Sequence, residues 1–226
     1  MIRLLIVAAH PDDEILGCGG TIAKMIEDGH EAFTLILGEG ITSRDNQRNR
    51  KNRENDINEL KNQTNKSNEI IGIKKVFSYN FQDNRFDTSS LLNIVKIIEK
   101  IKNKVKPNII FTHYYNDLNI DHKITYNAVI TATRPLNEET VKEIYAFEIL
   151  SSTEWNYPLN FSPNVFFDIS STIHKKIKAM SCYKSEIRKF PHPRSLENIK
   201  LNAKMWGIKV GLEYVEAFQL IRSIRK

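Results

Sequence analysis

The sequence holds two cysteines in 226 residues, Cys18 and Cys182, and they form neither a CxxC pair nor a disulfide ladder. That excludes a small disulfide-stapled scaffold and suits a reducing compartment. Long apolar runs are missing as well. The longest, such as "LLIVAA" and "VFFDIS", are too short to span a bilayer, so no transmembrane segment is expected. "MIRLLIVAAHPDDE" leads straight into acids with no small-residue cleavage site, and reads as the buried first strand of a cytoplasmic protein rather than a signal peptide. No repeat, low-complexity block or Pro/Gly/Ser linker divides the chain, and its length suits one domain over residues 1–226. No nucleic-acid-binding motif is present. The net charge of +6 comes from Lys and Arg spread along the whole chain, a solvated basic surface that permits a phosphorylated partner without selecting one.

What is present alternates between strand and helix patterns. "RLLIVAA" is a continuous run of mostly branched residues, as in a strand buried on both faces. "GCGGTIAKMIEDG" continues as a helix with Gly29 as its stop, and "HEAFTLILG" is a second strand. This order opens a parallel sheet. The spacing then predicts a loop near Gly40 to Ser43 and a long, mostly exposed helix ending near Gly72. "KKVFSYN" is a third strand. "SSLLNIVKIIEKIKNKVKP" is an amphipathic helix capped by Ser89 or Ser90, and "NIIFTH" is a fourth strand. A helix from "DHKITYNAV" is stopped by Pro135. Strands near "EIYAFEIL", "NVFFDIS" and "EYVEAFQLIRS" and two further helices complete an α/β fold.

"HPDDEILGCGG" after the first strand invites a dinucleotide-binding reading, but the third glycine of GxGxxG would fall at Ile22. Asp12, Asp13 and Glu14 would also repel a phosphate at a helix N-terminus. An acidic cluster at the C-terminal end of a parallel strand calls for a cation. His10 and Asp13, with two residues between them across a turn, can converge on one ion. His122, which follows the fourth strand and so lies at the same sheet edge, supplies a third ligand and leaves a position open. A His2Asp set suits zinc, and Fe(II), Co(II) or Mn(II) fit the same ligands. Asp12, beside the metal but not needed to bind it, is placed to take a proton from an activated water. Glu14 and Asp121 read as groups that orient their neighbours.

"AHPDDEILGCGGT" with the later "THYYNDLNIDH" resembles the LmbE-like or PIG-L family of zinc-dependent N-deacetylases. "NFQDNRFDT" and the tail "RSLENIKLNAKMWGIKVGLEYVEAFQL" extend the resemblance over most of the chain. It implies a Rossmann-like, mostly parallel sheet with helices on both faces. It also implies removal of an acyl group from an N-acetylglucosamine-type amino sugar, free, phosphorylated or nucleotide-linked. Matched position by position, His10, Asp13 and His122 fall on the metal ligands and Asp12 on the general base. Many members read HPDH where this chain has "NIDH", so Asn119 stands in place of a histidine associated with the oxyanion. An asparagine donates a hydrogen bond but does not titrate near neutral pH.

Around that departure the expectations are as follows. His192, held between two prolines, contacts the carbonyl oxygen, and Arg194 binds substrate phosphate or hydroxyls. One arginine among Arg44, Arg48 and Arg53, taken as Arg53, reaches the sugar. Asp83, Arg85 and Asp87 contact sugar or tie down a loop, Trp155 and Tyr157 offer a face for stacking, and His113 fastens a loop. The resemblance is also compatible with a homo-oligomer. A zinc amidase acting on a thiol conjugate or other acylated amine shares every motif. A basic binding protein with a structural metal is a third reading, disfavoured by the acidic pocket.

Overall fold

Leu4 and Ile6 face one apolar layer and Leu5 and Val7 the other, and all four are buried, so the first strand, β1 (Arg3–Ala8), is covered on both sides. A run that is apolar at every position fits only such a central place. In this computed structural model, which describes residues 1–44 and 48–225 (Arg44 by its backbone alone), β1 is the third strand of a seven-stranded sheet of order β3-β2-β1-β4-β5-β7-β6. The other strands are β2 (Glu31–Gly38), β3 (Lys75–Phe81), β4 (Ile109–His113), β5 (Glu143–Phe147), β6 (Val165–Asp168) and β7 (Val215–Ser223). The first five are parallel, and β7 runs antiparallel between β5 and β6.

Helices α1 (Asp13–Glu27), α2 (Glu54–Ile71), α5 (Ile173–Met180) and α6 (Leu196–Val210) contribute to one buried layer. Helices α3 (Leu91–Val105) and α4 (Ile120–Ala132) contribute to the other. The chain leaves β1 toward β2 and later returns to lay β4 on β1's other side. The crevice between the C-terminal ends of β1 and β4 is therefore a topological switch point, the usual place for a site in such sheets.

The glycines of α1 serve packing. A Cβ at Gly17 would stand 2.4 Å from the Phe147 ring, and one at Gly20 2.8 Å from Ile169. Beside them a buried ion pair meets the helix backbone. Glu216 accepts from the N–H groups of Gly20 and Thr21, while Lys176 bonds both Glu216 and the Leu16 carbonyl. The helix carrying the acidic loop is thus held from the far end of the chain.

Two local expectations need correction. The long helix starts at Glu54, after a 3-10 turn at Thr42–Arg44 and turns at residues 50–53, because the described residues just before it carry no apolar face to dock. Ser90 stands at the N-cap of α3, but its side chain makes no capping hydrogen bond.

Candidate metal centre and catalytic pocket

The turn after β1 brings His10 to the sheet edge and starts α1 at Asp13. Asp12, between them, has φ 99°, a left-handed conformation that costs a non-glycine residue energy unless its surroundings hold it. Two contacts do so. The Asp12 N–H donates to Glu14 Oε2 at 3.0 Å, and Arg194 Nη1 donates to Asp12 Oδ2 at 3.0 Å. Glu14 is fixed in turn by Asn68 and Tyr183, so it orients the loop rather than His10. Burial pushes the Glu14 carboxyl up to about 7, against the pull of those hydrogen bonds. Burial also raises Asp12 well above the usual carboxylate range, with Arg194 opposing it.

His10, Asp13 and His122 offer ligand atoms that all lie within 4.8 Å of one another. Each is aimed by another group. His122 Nδ1 lies 3.0 Å from Asp117 Oδ1, which leaves Nε2 turned inward. Asp117 also accepts from Ser152 and Thr153 and from the Asn119 N–H, and, despite its burial, the His122 hydrogen bond holds it down at about 2. His10 Nε2 lies 2.9 Å from Asp121 Oδ2, which leaves Nδ1 facing Asp13, 3.4 Å from Oδ2. A carboxylate behind an imidazole, fixing its tautomer, is the common support for a metal-binding histidine.

The fit to a cation rests on what these groups lack. His122 Nε2 and Asp13 Oδ1 are fully buried with no hydrogen-bond partner. Orphaned acceptors are costly unless something positive lies between them. A second set, His10, Asp83 and Asp121, is also close enough for a cation. Its carboxylates are already engaged, Asp83 by Ser43 and Asp121 by the Phe86 N–H as well as by His10. The first set is the better cation site. His113 stays outside it: its Nε2 accepts from the Ala9 N–H at 2.8 Å, fastening the end of β4 to β1, and its ring stacks on His122 at 4.0 Å.

A polar cavity of about 120 Å³ opens beside this group, lined by His10, Asp12, Asp83, Asn84, Asn119 and Arg194 among others. Asn119 caps α4, its Oδ1 accepting from the Asp121 N–H, while Nδ2 donates to Asn84. Arg194 reaches the cavity with its guanidinium on Asp12 and Glu186 and its Nε on Ser151. The expected direct sugar contact therefore competes with an ion pair to Asp12. His192 is not among the described residues lining the cavity. Its Nδ1 accepts from the Arg194 N–H and its ring meets Trp155 edge-on. Arg53 is not among them either, and it pairs with Asp56. Arg48 holds the buried Glu39, and the Arg44 side chain lies outside the described residues.

Sequence reasoning missed Asp117, Tyr183, Asn68 and Glu186. Asp117, five residues before His122 in the same loop, carried a local signal. The others reach the site only through folding.

A sequence profile of the family described as PIG-L, GlcNAc-PI de-N-acetylase, matches residues 5–133. The chain is 27% identical over 187 residues to the uncharacterized deacetylase YaiS of Escherichia coli, covering 80% of this chain and 90% of that one. It is 24% identical over 229 residues to the diacetylchitobiose deacetylase of Thermococcus kodakarensis, covering 98% and 84%. Among solved structures it is similar to the conserved protein TT1542 from Thermus thermophilus, with a TM-score of 0.77, 21% identity and coverage of 100% and 97%.

Proposed function

From the premise that this chain belongs to the PIG-L family, we propose that residues 1–226 form one metal-dependent deacetylase domain that removes the acetyl group from an N-acetylglucosamine-type amino sugar. The observation that carries the reading is the clustering of His10, Asp13 and His122, with ligand atoms within 4.8 Å of one another and with Asp13 Oδ1 and His122 Nε2 buried without a hydrogen-bond partner, beside the cavity that His10 and Asp12 line. His10, Asp13 and His122 would hold a divalent cation, zinc in the first instance, which when bound supplies Lewis-acid charge to the amide carbonyl and to the attacking water.

The chain's own residues divide the remaining work. Asp12 takes one proton from the water as its oxygen bonds to the carbonyl carbon, then returns that proton to the nitrogen as the C–N bond breaks. Acetate and a free amine leave. The raised affinity of Asp12 for a proton suits a group that must both collect and return one, and Arg194 keeps its carboxylate oriented between the two steps. Asn119, through its amide N–H, is our choice for a donor to the developing oxyanion, because it lines the cavity and His192 does not. Asp83 and Asn84 line the same cavity and would meet sugar hydroxyls. Cys18 and Cys182 are free thiols, which fits work in the cytoplasm.

The test is release of acetate from a panel of N-acetyl sugars, before chelation, after chelation and after return of zinc. Activity that disappears and comes back with the metal supports the reading. Cleavage of acylated amines with no sugar preference would replace the substrate and keep the chemistry. Unchanged activity after complete metal removal would overturn it.

A further inference from the structure

Helix α6 buries one side and leaves an apolar row on the other. Ile199, Ala203, Trp206 and Gly207 are buried, and the helix packs on α5, β6 and β7. At about 100° per residue, Leu201, Met205 and Ile208 fall opposite that side in a single row. All three are exposed, Ile208 by 81%, and so is Leu212 just past the helix end. The helix cannot roll to hide them. Trp206 Nε1 donates to Glu148 Oε1 at 2.6 Å, and a Cβ at Gly207 would stand 2.5 Å from the Leu212 carbonyl oxygen.

Lysines border the row. Lys200 and Lys204 flank it on one side and Lys209 on the other, all exposed. Their ammonium groups lie over aromatic rings, Lys200 and Lys204 at 5.7 and 5.5 Å from the Tyr214 centroid and Lys209 at 4.0 Å from that of Trp206. The rings thus keep three positive charges beside the apolar side chains. Glu197 and Glu213 stand at the two ends of the row. This pattern narrows the occupant. A second α6 laid along the row would set lysine against lysine whether it ran parallel or antiparallel. Lysine is also depleted in protein interfaces generally. It is, by contrast, the residue that borders an apolar helix face lying in a lipid headgroup layer, where phosphates take the ammonium groups.

We propose that the outer face of α6 docks the protein on an anionic membrane surface. Leu201, Met205, Ile208 and Leu212 enter the headgroup region, and Lys200, Lys204 and Lys209 meet lipid phosphates. The inference stands apart from the deacetylase reading, since none of these residues belongs to the metal group or lines the catalytic cavity.

The test is flotation of the protein with vesicles of phosphatidylcholine alone and of phosphatidylcholine mixed with phosphatidylglycerol. The protein is expected to float with the anionic vesicles only and to be released as salt is raised. Ile208→Asp should lower that binding by more than about tenfold, because it removes the most exposed apolar side chain of the row and adds a repelled charge. Lys204→Gln and Lys209→Gln should each lower it about fivefold, and together about 30-fold. The substituted side chains are exposed, so melting temperatures should stay close to that of the unaltered protein. No binding to anionic vesicles, equal binding to neutral ones, or binding that survives Ile208→Asp would overturn the proposal. Self-association in sedimentation velocity that Ile208→Asp abolishes would give the face to a second copy, and would overturn it as well.

Discussion

Asp12 carries the sharpest expectation at the scale of single residues. Asn is the substitution of choice, because it tolerates a left-handed backbone, keeps an oxygen for Arg194 and cannot accept the proton. Asp12→Asn should lower turnover by about 10²–10⁴-fold, the usual weight of a general base, while bound metal measured by elemental analysis stays constant. Asp117→Asn makes a separate demand. It weakens the hold on the His122 tautomer, so metal affinity measured by competitive chelation should fall by about 10–100-fold. Full affinity in that variant would show that His122 needs no such support. That His10, Asp13 and His122 would meet was readable because the first two follow the end of β1 by two and five positions and the third sits in the first turn of the helix after β4. Arg194 was legible as a charge but not as the partner of Asp12, because 182 positions separate the two and only tertiary packing joins them. The place of His192 was not legible for the same reason: two flanking prolines show that a loop is stiff without showing where it points, and His192 does not line the cavity.

At the scale of elements, α1 sits close against its neighbours because Gly17 and Gly20, two of its three glycines, have no side chain at the contact. Gly17→Ala would force a methyl group against the buried Phe147 ring and should cost about 1–3 kcal/mol by urea unfolding, despite alanine's better helix propensity. An unchanged midpoint would mean that Phe147 has room to turn. The strand and helix order was readable from periodicity, since β1, β2 and β4 are apolar at nearly every position and α3 has a single apolar face. The start of α2 was not. Its first two turns carry only Ile57 and Leu60 among polar residues, so little in the pattern separates helix from the polar residues before it.

The whole molecule sets a pH dependence apart from the site. Glu148 is half-buried beneath α6, where both Asn202 and Trp206 donate to its Oε1, and loss of water around it raises its carboxyl above the ordinary range in spite of them. The folded state therefore holds the Glu148 proton more tightly than the unfolded state does. That contribution to stability is fully present below the ordinary glutamate range and is lost as pH rises through the raised value. Glu148→Gln keeps an oxygen for both donors and removes the ionisation. It should be more stable than the natural protein at neutral pH, with the gap closing in acid, as read from melting temperatures across pH. A gap that stayed constant with pH would assign the effect to packing.

The sheet is also ordered in time. β5 gains its outer neighbour only when β7 arrives, and β7 is made after β6, α5 and α6. With ribosomes adding about 5–20 residues per second, the passage from residue 147 to residue 215 takes about 3–14 s. Throughout that delay the edge that ends as fully buried Ile144 and Ala146 stays open to any passing strand. Nascent chains paused there should be the form that chaperones capture, and slowed translation across this interval should lower the yield of folded protein more than the same slowing across the first five strands.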